Sequence, residues 1–161
     1  MLPLLVSAGA TFDPAKIYRY VLWRNFVPDP VDPCLWVMLN PSTADEYTDD
    51  PTVRRCQAFS RQWGHDACRV VNAFAFRSTK PAAIEIVADP VGPENDAHLV
   101  REAAGASRIV CAWGVHGAFE GRSASVRALF ANRECWCFGL TKNGEPLHPL
   151  YQHSKTALVR W

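Results

Sequence analysis

The chain has 161 residues, with 17 Lys and Arg against 16 Asp and Glu, a formal charge of +1 and 48% hydrophobic residues. This composition excludes an intrinsically disordered chain, a collagen-like repeat and a coiled coil, and it is typical of one folded domain. A charge of +1 also argues against binding nucleic acid through bulk charge, because it provides little long-range attraction for phosphates.

The hydrophobic pattern predicts five strands separated by turns and helices. Residues 17–26 are rich in aromatic and branched side chains, which is typical of a strand. Four continuous apolar runs follow, and such runs indicate strands that are buried on both faces. These runs cover residues 34–40, 67–76, 107–114 and 134–140.

Three helices are predicted between these strands. Asp50 is a good helix cap and Gly64 a natural end, so a helix is expected between them. A second helix is expected to begin with Asn95 or Asp96 as its cap, and a third to cover residues 122–132.

The alternation of strands and helices predicts an α/β fold. Four apolar strands joined by helices indicate a three-layer α/β/α sandwich with a mainly parallel four-stranded central sheet. We predict a single domain over residues 1–161, in which residues 1–16 form a peripheral N-terminal segment. Ligands of such folds bind at the carboxyl ends of the strands, which directs attention to the residues that follow each apolar run.

The N-terminus and the cysteines indicate a cytoplasmic protein. The opening MLPLLVSAGA lacks the basic residues of a secretory signal. No stretch approaches the roughly 18–20 apolar residues that a membrane span needs, so no membrane partner is expected. The six cysteines are scattered without a C-x-x-C pair. We therefore expect buried thiols, no metal and no other cofactor.

The first candidate site follows the first of the apolar runs. Asn40 precedes Pro41, which favours an extended backbone, and its amide could bind a ligand or a water beside the Ser42 hydroxyl. A strand-ending Asx turn explains these residues equally well. The acidic group from Asp45 to Asp50 allows either a magnesium site or a solvated loop with a helix cap.

A second candidate site lies on the next apolar run. Asn72 is surrounded by apolar residues, where an unpaired amide costs on the order of 1–3 kcal/mol. It is therefore either a satisfied structural amide or a group that presents its amide to a base edge. Arg77, with Ser78 and Thr79, could bind a phosphate, or the three could form a solvated loop.

The third candidate is a histidine near the C-terminus. His148 lies between Pro146 and Pro149, which stiffen the backbone around it. A histidine held in this way could donate a hydrogen bond to a developing anion or transfer a proton. An ordinary loop histidine is the alternative.

Seven ordered blocks of sequence resemble a known bacterial family. The blocks begin near Tyr18 and continue to the C-terminus: VMLNPSTAD, DDPTVRRC, WG, VVNAFAFRST, DPVGPENDAHL, AWG and GLTKNGEPLHPLY. Their order and spacing are similar to those of the family catalogued as domain of unknown function 1643. That family implies no activity.

The blocks also resemble, more distantly, the uracil-DNA glycosylase superfamily, whose fold is a small α/β/α sandwich with a four-stranded parallel sheet. The resemblance implies that Asn40, in a Leu-Asn-Pro-Ser motif with Pro41 and Ser42, helps to position the attacking water. It implies that Asn72 reads the pyrimidine edge. His148, followed by Pro149, would stabilise the departing base.

These observations lead to three hypotheses of function. The first is a base-recognising hydrolase that cleaves an N-glycosidic bond in DNA or a nucleotide, so the expected partner is nucleic acid or a small nucleotide or nucleoside. An amide cannot accept the proton of water, so Asp45 would assist, and Tyr47 or Phe74 would stack on the base. The alternatives are a non-catalytic nucleotide- or nucleic-acid-binding module on the same fold, and a metal-dependent phosphoester hydrolase that uses the carboxylates of residues 45–50.

Overall fold

The computed structural model describes residues 4–161, and within them the chain is an α/β protein built on one sheet of seven strands. The strands are β1 (Ser7–Phe12), β2 (Arg19–Asn25), β3 (Pro33–Met38), β4 (Ala67–Asn72), β5 (Arg108–Cys111), β6 (Cys135–Cys137) and β7 (Val159–Arg160). The same residues contain three α-helices, α1 (Pro51–Gln62), α2 (Asn95–Gly105) and α3 (Arg122–Leu129). Short 3-10 helices cover Pro81–Glu85, Val115–Gly121 and Pro149–Tyr151.

The sheet is mixed, with the strand order β1-β2-β4-β3-β5-β6-β7. The neighbours β4, β3, β5 and β6 pair in parallel. β1 and β2 extend the sheet on one side and β7 on the other, all through antiparallel pairing. In the described residues the sheet is therefore wider than the four-stranded, mainly parallel sheet expected from the sequence.

Helices cover both faces of the sheet. Every residue of β3 is buried, as its continuous apolar sequence predicts for a strand covered on two sides. On one face Trp36 packs in a cluster with Val53 and Phe59 of α1. On the other face Leu35 belongs to a cluster that contains residues of α2 and α3. The cysteines contribute to both clusters, and all six are free and buried thiols, as expected.

The start of α1 follows a local sequence signal, whereas the start of α2 follows a tertiary contact. Asp50 caps α1, because its Oδ1 accepts a hydrogen bond of 2.8 Å from the Val53 amide. The expected cap of α2 was wrong. Its N-cap is Glu94, which makes no side-chain capping bond, while the fully buried Asn95 is the first helical residue and turns its side chain toward the sheet.

The N-terminal segment takes part in the sheet. Residues 1–16 were expected to be peripheral, and within them Ser7–Phe12 forms the edge strand β1, paired with β2. Residues 1–3 of that segment lie outside the described range. No helix within residues 4–161 combines the length and the apolar character that crossing a membrane requires.

Candidate functional site

A cleft of about 630 Å³ opens at the carboxyl ends of the parallel strands. Asn40 follows β3, Asn72 ends β4, and Gly114 follows β5. The N-terminus of α1 and the segment that contains His148 complete the walls. The position agrees with the general rule for ligand sites in open α/β sheets. The lining includes Arg19, Met38, Leu39, Asn40, Ser42, Asp50, Thr52, Val53, Val70, Asn72, Ser78, Thr79, Pro81, Trp113, Gly114, Val115, His116, Thr141, Leu147, His148, Leu150 and Tyr151.

Asn72 presents an unpaired amide to this cleft. The residue is only 1% exposed, and neither Nδ2 nor Oδ1 of its side chain has a hydrogen-bond partner among the described residues. An amide buried in this state costs on the order of 1–3 kcal/mol, so it calls for a partner from a ligand or a bound water. The side chain is therefore free to offer one donor and one acceptor.

The backbone beneath Asn72 is held by two side chains from the neighbouring helices. Asn95 donates from Nδ2 to the carbonyl oxygens of Asn72 at 2.9 Å and Ala73 at 3.3 Å. Arg122 donates from Nε to the Ala73 carbonyl at 2.6 Å and forms an ion pair of 2.7 Å with Asp96. These contacts fix the end of β4, so the Asn72 amide is presented from a rigid support. Sequence reasoning did not find them, because they join residues far apart in the chain.

Asn40 is also fixed, but through its own side chain. Its Nδ2 donates to the carbonyl oxygens of Pro41 at 3.1 Å and Ser78 at 3.0 Å. These bonds orient the amide, and Oδ1 accepts no hydrogen bond within residues 4–161. Asn40 therefore offers a single oriented acceptor at the cleft, which suits a bound water better than a role in a local Asx turn.

His148 faces the cleft as a neutral hydrogen-bond donor. Its Nδ1 accepts a hydrogen bond of 3.2 Å from the Leu150 amide, so the proton of the neutral ring is on Nε2. Burial lowers the pKa of His148 below its ordinary value, while the nearby Asp50 acts in the opposite direction. The ring is thus kept uncharged at neutral pH with an N–H group available.

The segment that contains His148 is tied to the end of β5. Trp113, in the cleft wall, donates from Nε1 to Oε2 of Glu145 at 2.6 Å, and Ser123 donates to Oε1 at 3.0 Å. The Gly114 amide donates to the Pro146 carbonyl at 2.8 Å. The buried Glu145 carboxylate therefore joins β5, α3 and the His148 segment. The only sequence signal for this connection was the position of Glu145 between a glycine and a proline.

Two charged residues of the lining were not predicted as site residues. From the sequence, Asp50 was expected as a helix cap or as one carboxylate of a magnesium site, and not as a residue that acts on a base or sugar. Its Oδ1 does cap α1, but its other carboxylate oxygen has no partner within residues 4–161. Arg19 is 2% exposed and brings a guanidinium to the cleft from β2. The only sequence signal for Arg19 was its position as a charged residue within a strand rich in aromatic side chains.

The structure does not bring Asp45 or Tyr47 into the cleft lining. The Asp45 carboxylate accepts hydrogen bonds from the amides of Tyr47 at 2.9 Å and Thr48 at 2.8 Å, and those bonds lower its pKa. Asp45 therefore stabilises its own loop, outside the cleft lining. Tyr47 is 89% exposed. It projects into solvent where a stacking surface was expected.

Phe74, Arg77 and the two prolines of the predicted site also lie outside the lining. Phe74 is buried in the core, where it packs on Phe119 with ring centroids 6.2 Å apart. Arg77 donates from one guanidinium nitrogen to the Lys16 carbonyl and lies over the Phe12 ring, outside the cleft lining. Pro41 and Pro149 are buried and shape the backbone beside Asn40 and His148. Ser42 does line the cleft.

The acidic residues after Asn40 do not converge on one point. Asp45 accepts from backbone amides, Asp49 pairs with Arg24 at 2.8 Å and accepts from Gln57 at 2.7 Å, and Asp50 caps α1. Within residues 4–161 no group of three or more His, Cys, Asp or Glu side chains could hold a metal ion. The magnesium site that the sequence left open therefore has no cluster of three protein ligands among the described residues.

The family model for proteins of unknown function, DUF1643, matches residues 19–150. The match covers most of the chain and all the strands from β2 to β6, so the chain belongs to this family. The comparisons with curated proteins and with solved structures give no match. The more distant resemblance to the uracil-DNA glycosylase superfamily stays a prediction.

Proposed function

We propose that the chain binds the base of a nucleotide in this cleft and hydrolyses its N-glycosidic bond. The observation that carries the proposal is the unpaired, buried amide of Asn72 at the floor of the cleft. A pyrimidine such as uracil presents a ring N–H beside a carbonyl oxygen, and an amide is complementary to that pair of groups. A base in this position satisfies both atoms that the protein leaves without partners.

The other polar groups of the cleft have the chemistry that bond cleavage requires. When the C1′–N bond breaks, the electron pair goes to the base and positive charge develops on the sugar. The His148 Nε2–H would donate to the base oxygen on which negative charge grows. Asn40 Oδ1 would hold the water that adds to C1′.

A carboxylate is needed to accept the proton of that water and to stabilise the cationic sugar. We assign this role to Asp50 in place of Asp45, because Asp50 is the acidic residue in the described lining. Its unpartnered oxygen is available while the other remains the helix cap. The negative charge of Asp50 acts on both His148 and Arg19, so all three groups share one region of the cleft.

The arrangement of the sheet supports a glycosylase-like fold as part of this proposal. The parallel strands β4, β3, β5 and β6 are adjacent, and their carboxyl ends form the floor of the cleft. Asn40, Asn72 and His148 reach that cleft from three separate parts of the chain. The likeness of the Asn40 and His148 motifs to the uracil-DNA glycosylase superfamily points in the same direction.

A non-catalytic binding module is the second candidate, and one observation favours it. Asn40 uses its Nδ2 on backbone carbonyls and leaves an amide oxygen, which cannot take a proton from water at neutral pH. If Asp50 serves only as a cap, the cleft can bind a base without cleaving it. An Asn40→Ala variant that binds normally but loses turnover would distinguish the hydrolase from the binding module.

The test of the proposed activity is a cleavage assay. Purified protein is incubated with oligonucleotides containing uracil, hypoxanthine, xanthine or a mismatch, and with the corresponding free nucleotides. Alkali then reveals abasic sites in the oligonucleotides, and chromatography detects the released base. We expect release of one base by the wild type and a loss of at least about a hundredfold in His148→Ala.

His153→Ala is the matched control for this assay. His153 also accepts a hydrogen bond at Nδ1 from the amide two residues later, Lys155, at 3.1 Å, but it lies outside the cleft lining. The control variant should retain full activity. Absence of cleavage on every substrate by folded wild-type protein would overturn the hydrolase and leave the binding module.

A further inference from the structure

Arg19 is a buried cation without an acidic partner. It is 2% exposed, and its NH1 group donates to the Ala44 carbonyl at 2.8 Å. Its Nε is buried and has no hydrogen-bond partner, and Arg19 forms no ion pair within residues 4–161. A buried charge is unfavourable unless an anion pairs with it, and no carboxylate of the described residues lies within ion-pair distance of Arg19.

The other buried arginines show how this fold usually treats such a charge. Arg24, on the same strand, pairs with Asp49 at 2.8 Å and donates to the Asp45 carbonyl. Arg122 pairs with Asp96 at 2.7 Å. Among the described residues that are buried, Arg19 is thus the arginine that both lacks an acid and faces the cleft.

The charges around Arg19 are of both signs. Burial lowers the pKa of Arg19 to about 10, and the positive charges of Arg77 and Arg24 act in the same direction. Asp50 and Asp45 oppose them, but neither carboxylate forms an ion pair with Arg19. The guanidinium is still charged at neutral pH, and an added anion would interact with it favourably.

Two free hydroxyl groups lie in the same lining. Ser42 and Thr79 make no side-chain hydrogen bond within residues 4–161. The Ser78 hydroxyl, by contrast, is engaged with Lys80. A guanidinium and hydroxyl donors that line one cleft supply the chemistry that binds phosphate oxygens.

We propose that Arg19, Ser42 and Thr79 form an anion subsite that binds a phosphate group of the substrate. The substrate class is therefore a phosphorylated nucleotide or a phosphodiester, and not a free nucleoside. The identity of the nucleotide base rests on the proposed function, whereas the anion subsite rests on the buried Arg19 guanidinium and the two free hydroxyl groups. Arg77 was expected from the sequence to bind the phosphate, and Arg19 takes its place.

The test is calorimetric titration of the full chain with matched ligands. The probes are deoxyuridine, deoxycytidine, deoxyadenosine and deoxyguanosine, each beside its 5′-monophosphate, and inorganic phosphate alone. For the base that fits the cleft, we expect the monophosphate to bind at least about tenfold more tightly than the nucleoside. Arg19→Gln should remove this advantage and leave the affinity for the nucleoside unchanged.

Arg24→Gln is the matched variant, since it alters a buried arginine of the same strand that pairs with Asp49 and lies outside the lining. It should keep the advantage of the monophosphate if it folds. Circular dichroism checks the fold of each variant. If Arg19→Gln does not fold, Arg19→Lys retains the charge without the planar fork, and it should bind the monophosphate less tightly than the wild type.

The outcomes separate this inference from the proposed function. Equal affinity for nucleoside and monophosphate in the wild type would overturn the anion subsite and leave base binding intact. Binding of inorganic phosphate that depends on Arg19, without binding of any nucleoside, would support the subsite and refute base recognition. No binding of any monophosphate or of inorganic phosphate would overturn the subsite. A further titration with a short single-stranded oligonucleotide then distinguishes a phosphodiester from a free nucleotide as the source.

Discussion

Asn72 occupies the last position of β4, where its backbone is held by Asn95 while its side chain has no partner within residues 4–161. The two asparagines therefore have opposite roles in one small region. Asn95 donates to backbone carbonyls and supports the fold, although its own buried Oδ1 has no partner within residues 4–161. Asn72 lowers stability and is retained, in our account, for the base that it binds.

This difference gives a prediction about stability. Asn72→Leu removes the unsatisfied amide with little change in volume, so we expect the free energy of unfolding to stay equal or rise by about 1–2 kcal/mol. Binding of the nucleotide should be lost. Asn95→Leu removes the hydrogen bonds to Asn72 and Ala73, and it should destabilise by about 1–3 kcal/mol. Urea denaturation measures both variants, and destabilisation of Asn72→Leu to the level of Asn95→Leu would contradict the account.

A second prediction concerns the protonation of His148. Burial lowers its pKa from the ordinary value of 6.5, so the unfolded chain binds the proton more readily than the folded protein. Between the two pKa values the unfolded state holds more protons, and stability falls as the pH falls. Above pH 6.5 the effect vanishes. His148→Gln should lose this dependence.

The measurement is the unfolding free energy of wild type and His148→Gln at several pH values from neutral to acid. Using the difference between the two proteins removes the contribution of His98, whose pKa is also lowered by burial. If the wild type instead gains stability relative to His148→Gln as the pH falls below 6.5, the prediction is contradicted.

Sequence reasoning found the polar residues that interrupt apolar runs and missed those whose role depends on partners elsewhere. Asn40, Asn72 and His148 stand out locally, and the structure places all three in one cleft. In the sequence Arg19 does not differ from other arginines on strands. Only the structure shows that no carboxylate forms an ion pair with it. Asp50 does cap α1 through Oδ1. The sequence could not show that its second carboxylate oxygen has no partner within residues 4–161.

At the scale of elements, the cleft is built where strands end and one helix begins. β3 and β4 end side by side, with Met38 paired to Asn72. α1 begins at Pro51, directly after Asp50, so the helix cap and the cleft share one carboxylate. A single side chain therefore serves both the stability of α1 and the electrostatics of the site.

Two substitutions of Asp50 separate these roles. Asn retains an oxygen that can accept from the Val53 amide, so Asp50→Asn should change stability by less than about 0.5 kcal/mol. Asp50→Ala loses the cap and should cost about 0.5–2 kcal/mol. Turnover should fall in both variants, because neither retains the carboxylate. Thermal unfolding and the cleavage assay measure the two effects, and full turnover by Asp50→Asn would assign Asp50 to capping alone.

The elements that the sequence predicted best are those with the strongest local signals. The four apolar runs locate β3, β4, β5 and β6, although each strand is shorter than its run, because the chain leaves the sheet where the cleft begins. β1 and β7 were missed. They are exposed edge strands whose existence depends on pairing with β2 and β6, and local periodicity does not report such pairing.

At the scale of the whole molecule, a charge of +1 implies that binding depends on local groups and not on a general positive field. The cleft contributes one buried guanidinium, so one phosphate contact is expected. The logarithm of affinity for a single-stranded oligonucleotide should then fall with the logarithm of salt concentration with a slope of about −0.7 to −1. Arg19→Gln should flatten the slope further. A slope steeper than about −3 would require a basic surface that this account does not contain.

The measurement that tests the central claim most directly is a nuclear magnetic resonance titration of the Asn72 side-chain amide. Its signals are assigned by their absence in Asn72→Leu. The base released in the cleavage assay, or the nucleotide bound in the titration, is then added to labelled wild-type protein. We predict a large, saturable shift of the Asn72 amide, while Asn143, an exposed residue outside the cleft lining, does not move. Saturable binding that leaves the Asn72 signals unchanged would contradict the account, because the base would then lie elsewhere.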